Sequence, residues 1–390
     1  MKFTSDIVPQ ESSILKLVDL SSLPDGDGSG MVPRIEFKEG GALMTCKTAL
    51  SRTFILAFMA IMTFLAASDL LLGAEGLPKI RVGVVFDKGG RDDRSFNASA
   101  WRGLDDAKKQ LGIDGKFVEA MDDNAYEPAI RTFARKKFDL IIAVGFGQAE
   151  AISRVAADFP DRRFALVDAV SHLPNVRSLV FGDHEGAFLA GAAAVMKSAT
   201  GRVGFIGGMD VPLIRRFDMG FRAGARHVRR DATTISNFIG VTADSWNNPP
   251  KAKELALAQY NRGVDVIYVA AGASGAGVFD AAGAKEKFAI GTDSNQNGMR
   301  PGLILTSILK RIDVAVLKTI TDAQAGKFTG GKVEFGVANG GIDYAVDHHN
   351  AGVLTDDLRR KLDELKSQIA AGTLKVPDYY VEADRATYKK

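Results

Sequence analysis

Three apolar runs of this chain each end on an aspartate. Val82-Gly83-Val84-Val85-Phe86 leads into Asp87, Phe164-Ala165-Leu166-Val167 into Asp168, and Ile290-Gly291-Thr292 into Asp293. A carboxylate accepts hydrogen bonds, and as a charged acceptor it holds O–H and N–H groups more strongly than a neutral one. The set therefore suits the hydroxyls or ring N–H groups of a small molecule, although any one of them alone would serve to cap the next helix. Lys310, in Thr306-Ser307-Ile308-Leu309-Lys310-Arg311, is placed to compensate Asp293.

The first of these ends is the richest, reading Asp87-Lys88-Gly89-Gly90-Arg91-Asp92-Asp93-Arg94-Ser95-Phe96-Asn97. Gly89 and Gly90 permit a tight turn, and Asp93 or Ser95 can cap a helix starting near Phe96. That leaves Asp87, Phe96 and Asn97 as ligand contacts. Neither the dinucleotide fingerprint nor the phosphate-binding P-loop occurs here, and the carboxylates would repel a phosphate. A second glycine-rich end, Ala270-Ala271-Gly272-Ala273-Ser274-Gly275-Ala276-Gly277, invites a phosphate reading but lacks a lysine. Close approach of the backbone at Gly272 to an uncharged ligand fits it as well. Phe96 and Trp246 lie outside the periodic apolar runs and can stack on a flat ring, whereas Phe217 and Trp101 follow packing patterns.

Signals of catalysis are missing. The five histidines include the adjacent pair His348-His349 but no metal-binding spacing, and no Gly-x-Ser-x-Gly elbow joins a strand to a helix. No cofactor is expected.

Stepping along the chain from residue 79, short β-rich runs alternate with helical ones. Strands are expected at 79–87, 116–122, 138–146, 163–169, 176–182, 202–208, 233–240, 264–272, 288–293, 303–308 and 331–337. Helices are expected at 95–112, 148–158, 185–198, 211–228, 249–262 and 312–325. Runs such as Leu140-Ile141-Ile142-Ala143-Val144 between helices indicate an α/β protein with parallel sheets covered on both faces. So many strands divide more naturally into two doubly wound lobes than into one sheet, with a boundary near residue 183. Ligands of such sheets bind outside the carboxyl ends of the strands, which is where the three aspartates fall.

Fifty basic and forty-seven acidic residues give a net charge of +3, so no global field draws the protein to nucleic acid. Residues 44–74 have the plan of a secretory signal peptide, with Lys47 and Arg52 before the apolar stretch Phe54–Ala67 and small residues after it. Translation is then expected to begin at Met44, with residues 1–43 a non-native or dispensable extension. Cys46, the single cysteine, precedes the apolar stretch, so an exported chain free of a lipid anchor and of disulfides is expected.

Six motifs in order carry a family likeness: Asp87-x-Gly-Gly with Asp93-x-Ser-Phe-Asn97, Phe164-Ala-Leu-Val-Asp168, Glu185-Gly-Ala-Phe-Leu-Ala-Gly191, Val203-Gly-Phe-Ile-Gly-Gly208, Gly291-Thr-Asp293 with Gln296, and Thr306-Ser-Ile-Leu-Lys310. From about residue 80 to 375 the chain resembles the basic membrane protein family, the substrate-binding proteins of ABC transporters that mostly take nucleosides. The resemblance implies a type I periplasmic-binding-protein fold with a three-stranded hinge. Its N-terminal lobe would be 79–182 plus about 309–335, and its C-terminal lobe 183–308 plus about 336–390. It further implies a periplasmic protein that delivers a purine nucleoside to an inner-membrane permease. Phe96 and Trp246 would stack on the base, Asp168 would hold the base edge, and Asp293 and Lys310 the ribose, with Asp87, Asn97 and Gly272 completing the pocket. Three rivals remain on the residues alone, the first a binding protein of the same fold for another small polar solute. A nucleoside-processing enzyme would need a metal or a base–nucleophile pair, and a regulator of the same fold would need an N-terminal DNA-binding helix pair.

Overall fold

The computed structural model describes residues 78–388; the expected extension and signal peptide lie outside the described residues. The chain builds two six-stranded sheets, and the alternation of apolar strands and helices sets their architecture. The first sheet contains β1 (Arg81–Phe86), β2 (Asp114–Glu119), β3 (Leu140–Val144), β4 (Arg163–Val167), β5 (Val176–Phe181) and β11 (Gly331–Phe335) in the order β11-β5-β4-β3-β1-β2, with every pairing parallel. The second contains β6 (Arg202–Met209), β7 (Thr233–Gly240), β8 (Val266–Ala270), β9 (Phe288–Asp293), β10 (Ile304–Lys310) and β12 (Ile342–Tyr344) in the order β12-β10-β9-β8-β6-β7. Only the short β12, absent from the sequence expectation, runs antiparallel, against β10.

Central strands are apolar throughout because helices cover both faces: all five residues of β3 and of β8 are buried. The edge strands β2 and β7 are largely open to solvent on one side. Helices α1 (Phe96–Leu111), α2 (Tyr126–Arg135), α3 (Ala149–Asp158) and α8 (Ile312–Gln324) flank the first sheet. Helices α4 (Asp183–Lys197), α5 (Pro212–Val228), α6 (Pro249–Asn261), α7 (Gly275–Lys285) and α9 (Asp356–Ala370) flank the second, and α10 (Glu382–Tyr388) closes the described chain. The sequence does not suggest α2, α7 or α9. Pro128 falls in the first turn of α2, where proline is tolerated and leaves the stripe Tyr126, Ile130, Phe133 and Ala134 intact, and the Gly/Ala-rich α7 has little amphipathic contrast.

The chain passes between the sheets three times: from β5 into α4, from β10 into α8, and from β11 to β12. These crossings are tied to one another by backbone bonds from the Gly182 N–H to the Phe335 carbonyl (2.7 Å) and from the Arg311 N–H to the Gly341 carbonyl (2.9 Å). Close helix packing supports the second lobe. A Cβ at Gly191 of α4 would lie 1.9 Å from the Phe221 carbonyl of α5, and one at Gly224 would lie 1.9 Å from that of Phe188. Glycine at both places lets the two helices touch backbone to backbone.

Candidate ligand-binding site

The carboxyl ends of the two sets of parallel strands face each other across a cleft. Seventeen residues line it, around about 550 Å³ of space free of protein atoms. From the first lobe come Asp87 beyond β1, Phe96 at the start of α1, Gly145 and Phe146 beyond β3, and Asp168 beyond β4. From the second come Phe217 of α5, Trp246 in the turn after β7, Gly272 beyond β8, Asp293 ending β9 and Lys310 ending β10.

Seven of the eight residues expected from sequence therefore line one cavity: Asp87, Phe96, Asp168, Trp246, Gly272, Asp293 and Lys310. The eighth, Asn97, stands behind it. Its amide nitrogen donates to Asp87 Oδ1 at 2.6 Å, so it aims that carboxylate and does not itself line the cleft. Phe217, assigned to packing from its helical spacing, both packs and lines the wall. Phe146 was missed although it follows an apolar strand end, Val144-Gly145-Phe146, of the kind that located Asp87 and Asp168. Its ring meets Trp246 edge to face across the cleft, with centroids 6.4 Å apart and planes at 76°. Trp246 in turn lies flat on Gly208, where a Cβ would come within 2.2 Å of the indole.

Asp168 and Asp293 occupy the same place in their lobes, since β4 and β9 are each third from the edge in matching strand orders. Both adopt φ of +69°, the left-handed region that aspartate tolerates better than most residues. The backbone turns sharply there, so each carboxylate stays at the cleft. Gly145, at φ +115°, makes room for Asp87, whose Oδ2 would lie 2.9 Å from a Cβ at that position.

The cap at the start of α1 differs from expectation in one respect. Asp93 does cap the helix, accepting from the backbone N–H groups of Ser95, Asn97 and Ala98 at 2.8–3.0 Å. Ser95 does not. Its hydroxyl crosses to the other lobe and donates to Asp293 Oδ2 at 2.7 Å. The Ser294 hydroxyl returns a bond to the Ser95 carbonyl at 2.6 Å, Gln296 donates to the Arg94 carbonyl, and Lys88 pairs with Asp244 at 3.2 Å. Together these bonds hold the lobes closed on each other.

Lys310 also pairs differently from expectation. Its ammonium sits 2.6 Å from Asp168 Oδ2 and 2.9 Å from Asp183 Oδ1, with the rings of Phe96, Phe181 and Phe217 at 5.0–5.7 Å around it. Asp293 is held by Ser95 instead. Burial alone would depress the lysine, but Asp168, Asp183 and Asp293 converge on it and hold it above its ordinary value. Lys310, with the Arg216 guanidinium reaching only Asp183 at 3.5 Å, does not satisfy all three carboxylates. Burial, reinforced by Asp183, pushes Asp168 up to about 7 in spite of Lys310, and burial likewise raises Asp87, Asp293 and, to about 7, Asp93. The second oxygen of Asp168 is buried without a hydrogen-bond partner among the described residues. The cavity thus combines aromatic faces with an excess of acceptors, a lining that disfavours anions and suits a flat, hydroxyl- and N–H-bearing solute. Among the described residues no group of three or more His, Cys, Asp or Glu side chains could hold a metal ion.

Two α/β lobes closing on a shared cleft define the type I periplasmic-binding fold. The structure resembles that of an ABC transporter solute-binding protein from Aeropyrum pernix K1, with a TM-score of 0.71, 30% identity, and coverage of 80% of this chain and 95% of that one. Residues 80–379 match the Bmp family, described as ABC transporter substrate-binding protein PnrA-like, and the chain belongs to that family. It is 34% identical over 363 residues to the CD4+ T-cell-stimulating antigen of Listeria monocytogenes, covering 84% of this chain and 99% of that one. It is 31% identical over 321 residues to the ABC transporter nucleoside-binding protein BmpA of Lactococcus lactis, covering 76% and 89%. Relatives from Pyrococcus at 29–30% identity are named lipoproteins, which runs against the expectation of a chain without a lipid anchor.

Proposed function

We propose that this protein captures a nucleoside, with a purine base, between its lobes outside the cytoplasmic membrane and delivers it to an ABC permease. The observation that carries the reading is the cleft itself, where aromatic faces from both lobes, Phe96 and Phe146 against Phe217 and Trp246, share a cavity with four acceptor carboxylates and one lysine. A purine ring would lie against the aromatic faces. Its N–H edge would donate to Asp168, whose second oxygen has no other partner, and the ribose hydroxyls would bond Asp293 and Asp87. The name of the Lactococcus relative supports the same ligand class. A phosphorylated nucleotide is disfavoured because its charge would meet Asp87, Asp93, Asp168 and Asp293 with only Lys310 in return.

Binding drives closure to the extent that the ligand favours the closed form over the open one, a population shift about the three inter-sheet crossings. Titration of a panel of nucleosides, bases, sugars and nucleotides, followed by tryptophan fluorescence, tests the assignment. Purine nucleosides should bind best, and Phe96→Ala and Asp168→Asn should each weaken them while leaving the fold intact. Tight binding of a sugar with no response to any nucleoside would overturn the ligand.

A further inference from the structure

The last stretch of the described chain, residues 376–388 beyond α9, does not line the cleft. No residue of α10 is buried, so apolar packing does not hold this tail down. Polar contacts to α5 do. The Asp378 carboxylate takes the Arg216 guanidinium fork to fork, with Nε to Oδ1 at 2.7 Å and Nη2 to Oδ2 at 2.8 Å, and the Tyr388 hydroxyl donates to Asp218. Arg216 and Asp218 are both buried, and between them in α5 stands Phe217 of the cleft wall.

From Arg216 a line of alternating charge runs to the cleft. The guanidinium donates to the Phe181 carbonyl at the first crossing between the sheets and stands 3.5 Å from Asp183 Oδ2. Asp183 Oδ1 lies 2.9 Å from the Lys310 ammonium, which lies 2.6 Å from Asp168 Oδ2. Among the described residues neither oxygen of Asp183 has a hydrogen-bond partner, so the two cations, one at each oxygen, balance its charge. The side chains of Asp168, Lys310, Asp183 and Arg216 are at most 6% exposed and that of Asp378 is 18% exposed, so solvent screens the line weakly and a change at one end is felt at the other. In spite of its burial Asp378 is held below its ordinary value by Arg216, which keeps it ionised at neutral pH.

We propose that Asp378 and Arg216 are positioning residues of the ligand site: through this line the docked tail sets how firmly Lys310 holds Asp168, and so how strongly Asp168 accepts from the ligand. The part that concerns the ligand rests on the nucleoside reading above. Other groups face the line from the elements packed against it. Asp293 stands beside Lys310; His184 and Glu185 of α4 and Tyr380 of the tail stand beside Arg216 and Asp183; Glu334 of β11 faces His184 and Glu185. His184, lowered to about 4 by burial and by Arg216, and Tyr380, raised by burial to about 12, both stay neutral between pH 5.5 and 8.

The test is a cycle of Asp378→Asn and Asp168→Asn, singly and together, with urea unfolding of the ligand-free protein measured from pH 5.5 to 8. Asp378 is ionised throughout that range, so its own removal has a constant cost, and any change with pH belongs to a group it acts on. Removing this anion leaves Arg216 to bear on Asp183 alone, frees Lys310 for Asp168, and lowers the Asp168 carboxyl from about 7 toward its unfolded value. A carboxyl raised on folding loses stability as pH rises through the window, and the variant loses less. The folding equilibrium constant lost to Asp378→Asn should therefore recover about three-fold between pH 5.5 and 8, the equivalent of about half a pKa unit. The recovery should vanish in the Asp168→Asn background, and Asp378→Glu, which keeps the charge, should restore the wild-type pH dependence. The same loss at every pH would overturn the proposal and leave Asp378 an anchor of the tail; so would a recovery that persists in Asp168→Asn, which would place it on Glu185 or another carboxyl. Calorimetric titration with inosine reads the consequence for binding: the gain in affinity from pH 6 to 8 should be about two-fold smaller in Asp378→Asn than in wild type, and an equal gain would contradict the proposal. If the wild-type protein does not bind inosine, the nucleoside reading fails, while the ligand-free cycle still decides the role of Asp378.

Discussion

Lys310→Met removes the cation that Asp168 and Asp183 share, leaving Asp183 the Arg216 guanidinium at 3.5 Å, with a side chain of similar length. At an effective dielectric constant near 20, contacts at 2.6 and 2.9 Å each carry roughly 6 kcal/mol of attraction. Much of that is offset by the lysine's own desolvation and by repulsion among the three carboxylates. Removing one partner of a buried pair costs about 3–5 kcal/mol in measured cases, because the charge left behind has no compensation. The variant should therefore lose about that much stability at pH 7.5 in urea unfolding followed by tryptophan emission and circular dichroism. Without its lysine, Asp168 rises above its wild-type value of about 7, so the two proteins differ in protonation near pH 7.5 but both carry the proton at pH 5, and the loss should be smaller there. A loss below about 1 kcal/mol at pH 7.5, or the same loss at both pH values, would refute the charge cluster as described.

Three further outcomes are expected. Gly208→Ala puts a Cβ where the indole of Trp246 now lies, so it should cost roughly 1–3 kcal/mol of stability, shift the tryptophan emission and weaken ligand binding. Phe146→Ala should leave the fold intact and weaken binding by roughly ten-fold, as expected for loss of one aromatic wall. The third concerns pH. The folded carboxyl of Asp168 titrates near 7 and the unfolded one near 4, so folding takes up a proton between those values and the group's stabilisation is lost as pH rises from about 4 to 7. Over that window Asp168→Asn should gain stability relative to wild type; a constant difference from pH 4 to 7.5 would contradict the raised value.

Strand ends were legible in the sequence because central parallel strands are continuous apolar runs, and a polar residue that stops such a run falls at the cleft. That single rule located Asp87, Asp168, Asp293 and Lys310. Phe146 escaped it because an aromatic after Gly145 is not a polar stop, although it too follows the apolar end of β3. Helix α7 was not legible, since its glycine–alanine composition leaves little contrast between faces, whereas α2 carries a clear stripe, Tyr126, Ile130, Phe133 and Ala134, that was overlooked because Pro128 stands near its start. Partners were harder still. Nothing local distinguishes a serine that caps its own helix from one that reaches across to Asp293, as Ser95 does, because the choice depends on which lobe end comes to face it. The same holds for Lys310, which sequence order placed beside Asp293 but which the crossing between the sheets delivers to Asp168 and Asp183. Asn97 reads as a ligand contact once the glycines, Asp93 and Ser95 have turn and cap roles, whereas its place on α1 turns its amide onto Asp87.

The central claim is that the cleft holds a purine nucleoside. Mass spectrometry of the small molecules released on denaturing the protein, purified without dialysis from its native host, tests it most directly. The account predicts a purine nucleoside in near-stoichiometric amount from the wild-type protein and its loss from Asp168→Asn. A sugar, amino acid or phosphorylated nucleotide in its place would contradict it.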